Sequence, residues 1–259
     1  MPAVNDYKWE LYNVTEDFSQ ATNLADKEPQ KLHELQELFW AEAAKYNVLP
    51  IENSRIDRFD VTNRPSLTTG REEFTYYPGL VRIPEGAAPD TKNKSYQIKA
   101  EVEIPKNGAE GMLLTHGGRF SGWGLYVLKG KPVFCYNLAG VARYYVAGKD
   151  KLAPGAHTIV YDFTYDGGGL GKGGTGTLLV DGKQVGQGRI ERTLAFRLSL
   201  DETLDCGEDT GTPVSEDYHV PFTFTGNLKK VVIDLTPENL SEEDDQKLKE
   251  GKAAIGAAR

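Results

Sequence analysis

The sequence predicts a mainly β protein, an antiparallel two-sheet β-sandwich preceded by a strand and a helix and followed by a C-terminal helix. Three observations carry this. From residue 96 onward, apolar and polar residues alternate with period two in one segment after another. Turn chemistry separates these segments, recurring about every ten residues, the rhythm of a sandwich. Two stretches, 29–47 and 241–259, carry helical spacing instead.

Taken in order, "YKWELYN" at 7–13 alternates and reads as a short half-buried strand. "PQKLHELQELFWAEAAKYN" at 29–47 opens with proline and repeats apolar residues at Leu32, Leu35, Phe39, Ala43 and Tyr46, an amphipathic helix. Residues 51–95, with Pro65, Pro78, Pro84 and Pro89, read as an irregular connector. The sandwich is expected over 96–236. "YQIKAEVEIP" opens it, with Ile98, Ala100, Val102 and Ile104 on one face and Gln97, Lys99, Glu101 and Glu103 on the other. "GMLLTHG", "WGLYVLKGKPVFCYNL", "VARYYVA", "HTIVYDFTY", "GTLLVDGKQVGQGRI" and "LKKVVIDL" continue it, with Lys129-Gly130-Lys131 and Asp181-Gly182-Lys183 placed as hairpin turns. Residues 237–259 form a tail whose helix is capped by Ser241 and carries acids in its first turn.

Bulk properties exclude several classes. Of the 259 residues, 39% are hydrophobic and 26% charged, which fits an ordinary soluble chain able to bury its own core. A net charge of −8 without a basic patch argues against nucleic acid. No apolar run is long enough for a membrane helix. "MPAVNDYKWELYN" lacks a basic n-region and an apolar h-region, so no signal peptide is expected in this chain, and localisation stays open. Cys135 and Cys206 form neither a disulfide framework nor a metal-type pair, and Cys135 reads as a small core hydrophobe.

"YDGGGLGKGGTGTLLVDG" at 165–182 has the glycine spacing of a dinucleotide loop. Such a loop works where a strand turns into a helix. Here a strand follows, so the run is a long hairpin loop. No nucleotide site is expected there.

Two regions resemble a known family. "WELYNVTEDFSQATNLADKEPQKLHELQELFWAEAAKYNVLP" (9–50) is similar to the C-terminal end of the type I sulfatases, the arylsulfatase family, with Phe18 where the family usually places proline. "FTYYPGLVRIPEGAAPDTKNKSYQIKAEVEIP", "GGRFSGWGLYV", "GRIERT" and "DTGTPVSEDY" resemble the additional C-terminal β-domain of the larger bacterial members. The resemblance implies a concanavalin- or laminin-G-like jelly roll for 96–236, and a remnant of the sulfatase C-terminal subdomain for 1–50. The family's nucleophile motif, Cys-x-Pro/Ala-x-Arg, is matched by neither cysteine: Cys135 precedes Tyr-Asn-Leu-Ala and Cys206 precedes Gly-Glu-Asp-Thr. The resemblance therefore implies a noncatalytic accessory module, with no inherited catalytic residue.

Three constellations remain. Arg119, Trp123, Tyr126, Tyr136, Arg143 and Tyr144 lie on adjacent strand patterns. Aromatic faces stack on sugars and arginines pair with sulfate or carboxylate, so Arg119, Tyr126, Tyr136, Arg143 and Tyr144 are candidates for an anionic glycan. The alternative is that the aromatics fill the core, as expected for Trp123. The acidic stretch 201–219 offers Asp201, Asp205, Glu208 and Asp209 as oxygen ligands for a divalent ion such as calcium, against a plain solvated loop. That option describes a calcium-dependent lectin-like binder. Finally, His116 and His219 with Asp217 would give a small metal-dependent hydrolase of anionic esters or glycosides if the fold brought them together. The stripe on the 29–47 helix is a candidate surface for self-association.

Overall fold

The structure, a computed structural model, describes residues 6–49, 51, 66–199, 201–237 and 240–257. The chain forms two compact units, residues 1–60 and 61–259. In the first unit the expected strand at 7–13 does not form. A strand needs a ladder partner, and the backbone here finds turn partners instead. The Leu11 N–H donates to Asn23 Oδ1 at 3.0 Å, and the Leu11 carbonyl accepts the Leu24 N–H at 2.7 Å. The helix does form as α1 (Pro29–Lys45), with proline in its first turn where the missing N–H costs nothing. Phe39 meets Trp9 edge-on at 5.4 Å, and Ala43 is buried, while Leu35 and Tyr46 of the same stripe stay exposed.

The second unit is the sandwich. Its strands are β1 (Glu73–Tyr76), β2 (Tyr96–Ile104), β3 (Gly111–Gly117), β4 (Gly122–Leu128), β5 (Lys131–Leu138) and β6 (Ala142–Ala147). β7 (Gly155–Tyr165), β8 (Gly174–Val180), β9 (Lys183–Ile190), β10 (Leu204–Cys206) and β11 (Asn227–Leu235) complete it. They make a six-stranded sheet, β1-β11-β2-β7-β8-β9, and a five-stranded sheet, β10-β3-β4-β5-β6, with every ladder antiparallel. The protein is a mainly β, two-sheet sandwich.

Local chemistry explains the connections. Lys129-Gly130 (φ 50° and 82°) and Asp181-Gly182 (φ 51° and 77°) supply the consecutive positive φ values that tight hairpins with right-handed twist require. The connector expected over 51–95 contributes β1, an edge strand paired with β11, and a 3-10 turn over Glu85–Ala87, while its residues 52–65 lie outside the described ones. The glycine run forms the loop between β7 and β8 and leads into a strand. α2 (Glu242–Ala257) begins at Ser241, whose Oγ accepts the Asp244 N–H at 3.1 Å. Leu248 of α2 is buried, and Gly251 lets the helix backbone approach the Phe196 ring.

Between the sheets, Ile98, Ala100, Val102 and Ile104 of β2 point inward as the alternation requires. They meet Trp123 and Leu125 of β4, Phe134 and Tyr136 of β5, and Tyr161 and Phe163 of β7. Phe134 and Tyr161 stack across the interface. The outer face of the five-stranded sheet has its own apolar cover. Met112, Tyr126, Val133 and Cys135 lie beneath Val214, Tyr218 and Phe222 of the segment 207–223. The Tyr218 hydroxyl donates to Asp209 Oδ2 at 2.6 Å and accepts the Val214 N–H at 3.1 Å, tying both ends of that flap together.

Candidate functional site: an arginine pair at the rim of the five-stranded sheet

At one end of this outer face the β3–β4 and β5–β6 loops stand side by side, next to the flap. β4 and β5 pair Gly122 with Asn137, which brings both loops to the same edge. The buried Asn137 side chain fastens them. Its Nδ2 donates to the Gly118 and Arg119 carbonyls, both at 2.8 Å, and its Oδ1 accepts the Gly140 N–H at 3.0 Å. A second chain of bonds runs in from the acidic stretch. Thr212 Oγ1 donates to Glu202 Oε1 at 2.7 Å and accepts the Arg119 N–H at 2.8 Å. The backbone carrying Arg119 is thus held on two sides.

Two guanidinium groups converge on this ledge. Arg119 Nη2 donates to Glu216 Oε2 and Arg143 Nη2 to Glu216 Oε1, each at 3.2 Å. Arg143 is braced by a 3.0 Å bond from its Nε to the Val214 carbonyl and is only 20% exposed, against 53% for Arg119 and 58% for Glu216. Beside them Ser215 Oγ donates to Asp217 Oδ2 at 2.9 Å and so accepts from the Tyr145 hydroxyl at 3.0 Å. Burial holds the Tyr145 phenol above its ordinary value, so it stays a neutral donor. Phe120 and Val141, at the tips of the two loops, are largely exposed. Cationic forks, a hydroxyl and apolar tips on a fixed frame are what an acidic sugar needs for its charge, its hydroxyls and its ring faces.

Of the five residues singled out for a glycan, the structure brings Arg119 and Arg143 together. The three tyrosines are elsewhere. Tyr136 is buried between the sheets, where its hydroxyl accepts the Leu194 N–H at 2.9 Å. Tyr144 is its cross-strand partner and packs against the same core. Tyr126 is fully buried on the other face, beneath Tyr218 at 5.3 Å between ring centroids. Tyr126 and Tyr136 present no ring to a ligand, and Tyr144 is half-buried on the inner face. Sequence reasoning missed Tyr145, Glu216, Phe120 and Val141, although the adjacent tyrosines of "ARYYV" already required opposite faces.

The histidines and acids are likewise separated. His116 pairs with Trp123 across β3 and β4 and meets its ring at 5.9 Å, inside the core. Burial pushes its imidazole down to about 4, so it is neutral at pH 7. His219 and Asp217 are exposed on the flap, so the five-stranded sheet stands between them and His116. Cys135 is buried, and burial pushes its thiol up to about 12, which removes it as a nucleophile at neutral pH.

Among the proposed metal ligands, Asp201 is exposed and Glu208 half-buried. Asp205 spends Oδ1 on the Arg82 N–H (2.6 Å) and Oδ2 on the N–H and hydroxyl of Thr210 (3.0 and 2.6 Å). Asp209 receives the Tyr218 hydroxyl. Burial, then the neighbouring Asp205 and Glu202 charges, push its carboxyl up to about 6 against that bond. Among the described residues no group of three or more His, Cys, Asp or Glu side chains is placed to hold a metal ion. No described helix is long and apolar enough to cross a membrane.

No family model matches the chain, and no curated protein does. Solved structures do. The CBM40 of the Ruminococcus gnavus IT-sialidase bound to alpha2,3 sialyllactose aligns with 70% of this chain and 96% of its own, at 14% identity and TM-score 0.43. Domains LG4-5 of the mouse laminin alpha1 chain align with 65% of this chain and 44% of theirs, at 18% identity and TM-score 0.38. The leech intramolecular trans-sialidase complexed with 2,7-anhydro-Neu5Ac aligns with 71% of this chain and 27% of its own, at 12% identity and TM-score 0.40. At these values the likenesses assign this chain neither ligand nor activity. The sulfatase resemblance is corrected. No sulfatase model or curated sulfatase matches, the similar structures named above are sialidase and laminin structures, and the "WELYN" segment does not form the strand its alternation predicts.

Proposed function

We propose that the sandwich is a noncatalytic carbohydrate-binding module that takes an acidic glycan at the rim formed by Arg119, Arg143, Tyr145, Phe120 and Val141. One observation carries this reading: two arginines from neighbouring loop and strand are fixed so that each offers an N–H to a different oxygen of one carboxylate. A guanidinium fork is the side chain suited to planar oxyanions, and its net value grows where its position is set in advance. The loops that carry the site are hydrogen-bonded on two sides, Arg119 and Glu216 are exposed, and among the described residues no group placed to hold a metal ion is found. The modules with sialic-acid ligands named above are compatible with such a role. A glycan array carrying sialylated, uronate-containing, sulfated and neutral glycans tests it. Signal confined to acidic glycans and weakened by Arg143→Gln is the expected result. Signal that is equal on neutral glycans, or unchanged by Arg143→Gln, contradicts it.

A further inference from the structure

Glu216 sits on the flap, yet its carboxylate lies where an acidic ligand would place its own. Each oxygen takes one arginine, Oε2 from Arg119 and Oε1 from Arg143, both at 3.2 Å. The Glu216 side chain is 58% exposed, so neither packing nor desolvation fixes it there. Its neighbours on the flap are held differently: Ser215 by Tyr145 and Asp217, and Val214 by Arg143 Nε and Tyr218. Flap docking therefore has anchors that do not pass through Glu216, including the Tyr218–Asp209 bond and the Tyr126–Tyr218–Phe222 packing.

Resting on the glycan reading above, we infer that Glu216 is a built-in competitor, an intramolecular carboxylate that occupies the arginine pair until the carboxylate of an acidic sugar displaces it. The template is specific. Two oxygens of one planar carboxylate, one per guanidinium, match the carboxylate of a sialic or uronic acid. Neutral sugars have nothing to exchange for the two ion pairs and are rejected by leaving both intact. Because exposed ion pairs are each modest, the competitor tunes affinity without closing the site. Tethering on the flap gives the competing group a constant effective concentration, so it lowers the apparent affinity of every acidic ligand by the same factor.

The experiment is calorimetric titration of wild type, Glu216→Ala, Glu216→Gln and Arg143→Gln with N-acetylneuraminic acid, glucuronic acid and lactose, with thermal unfolding of each variant. Removing the competitor should tighten acid-sugar binding about threefold to tenfold, with Glu216→Gln following Glu216→Ala and lactose unaffected. Arg143→Gln should weaken acid-sugar binding. If wild type binds acid sugars through Arg143 but both Glu216 variants bind them equally or more weakly, the competitor is overturned while the glycan site stands. If Glu216→Ala unfolds at a much lower temperature, Glu216→Gln, which keeps the side chain's size and one acceptor oxygen while removing the charge, decides the question. If no variant binds either acid sugar, both readings fall together.

Discussion

The two faces of the five-stranded sheet are built from the same residue types and do opposite work. The inner face carries Trp123, Phe134, Tyr136, Tyr144 and His116, packed against the second sheet. The outer face carries Tyr126, Arg143 and Tyr145 and packs under the flap. Inside, neither nitrogen of His116 has a hydrogen-bond partner among the described residues. Outside, polar atoms are organised: Asn137, Thr212, Val214 and Ser215 each position a neighbour through a hydrogen bond. One-residue alternation along a strand separates the two regimes.

The largest effect should come from the inner face. Trp123→Ala removes a fully buried ring whose Nε1 donates to Thr91 at 3.2 Å. It should cost about 3–5 kcal/mol, read from denaturant unfolding. Arg143→Ala, on the other face, should cost no more than about 1 kcal/mol by the same assay.

Two buried titratable groups, one on each face, sharpen the contrast through pH. His116 is depressed to about 4 in the folded protein, so its contribution is full at neutral pH and lost as pH falls from about 6.5 toward 4. Asp209 is raised to about 6, so its contribution is full below about 3.8 and lost as pH rises through 6. The slopes oppose one another, each worth about 3 kcal/mol over its window. Asp209→Asn should therefore leave a stability that climbs with pH between 4 and 6 more steeply than in wild type. His116→Phe should leave one that falls. Parallel profiles for all three proteins would break this account of the two faces.

A smaller effect belongs to the flap alone. Tyr218→Phe deletes the 2.6 Å bond to Asp209 while keeping the stack on Phe222, so about 1–3 kcal/mol should be lost. Hydrogen exchange should show the loss concentrated in the flap, with the amides of β4 and β7 protected as in wild type.

Much of this was legible in the sequence. Alternation in "YQIKAEVEIP" gave the inward face of β2, and Lys-Gly and Asp-Gly turns gave the hairpins, because these signals are local. What failed was non-local. "YKWELYN" alternates like a strand but has no ladder partner among the described residues, whereas "EFTY" forms a strand paired with β11. Of the residues grouped from the sequence, the structure keeps the two arginines together and disperses the tyrosines, for a related reason. A guanidinium must reach a polar partner wherever it is, whereas Tyr126, Tyr136, Tyr144 and Tyr145 fit either face until the partner sheet and the flap are known. The acidic stretch looked like an ion site because sequence shows the carboxylates and hides their donors. Asp205 and Asp209 are taken up by Arg82, Thr210 and Tyr218.

The most direct test of the central claim is the affinity of the protein for N-acetylneuraminic acid, measured by calorimetry for wild type and for the Arg119→Gln/Arg143→Gln double variant. The paired arginines should account for binding, so the double variant should lose at least about tenfold in affinity with its melting temperature nearly unchanged. Equal affinity in the two proteins, or an acid sugar bound no better than lactose by wild type, would contradict it.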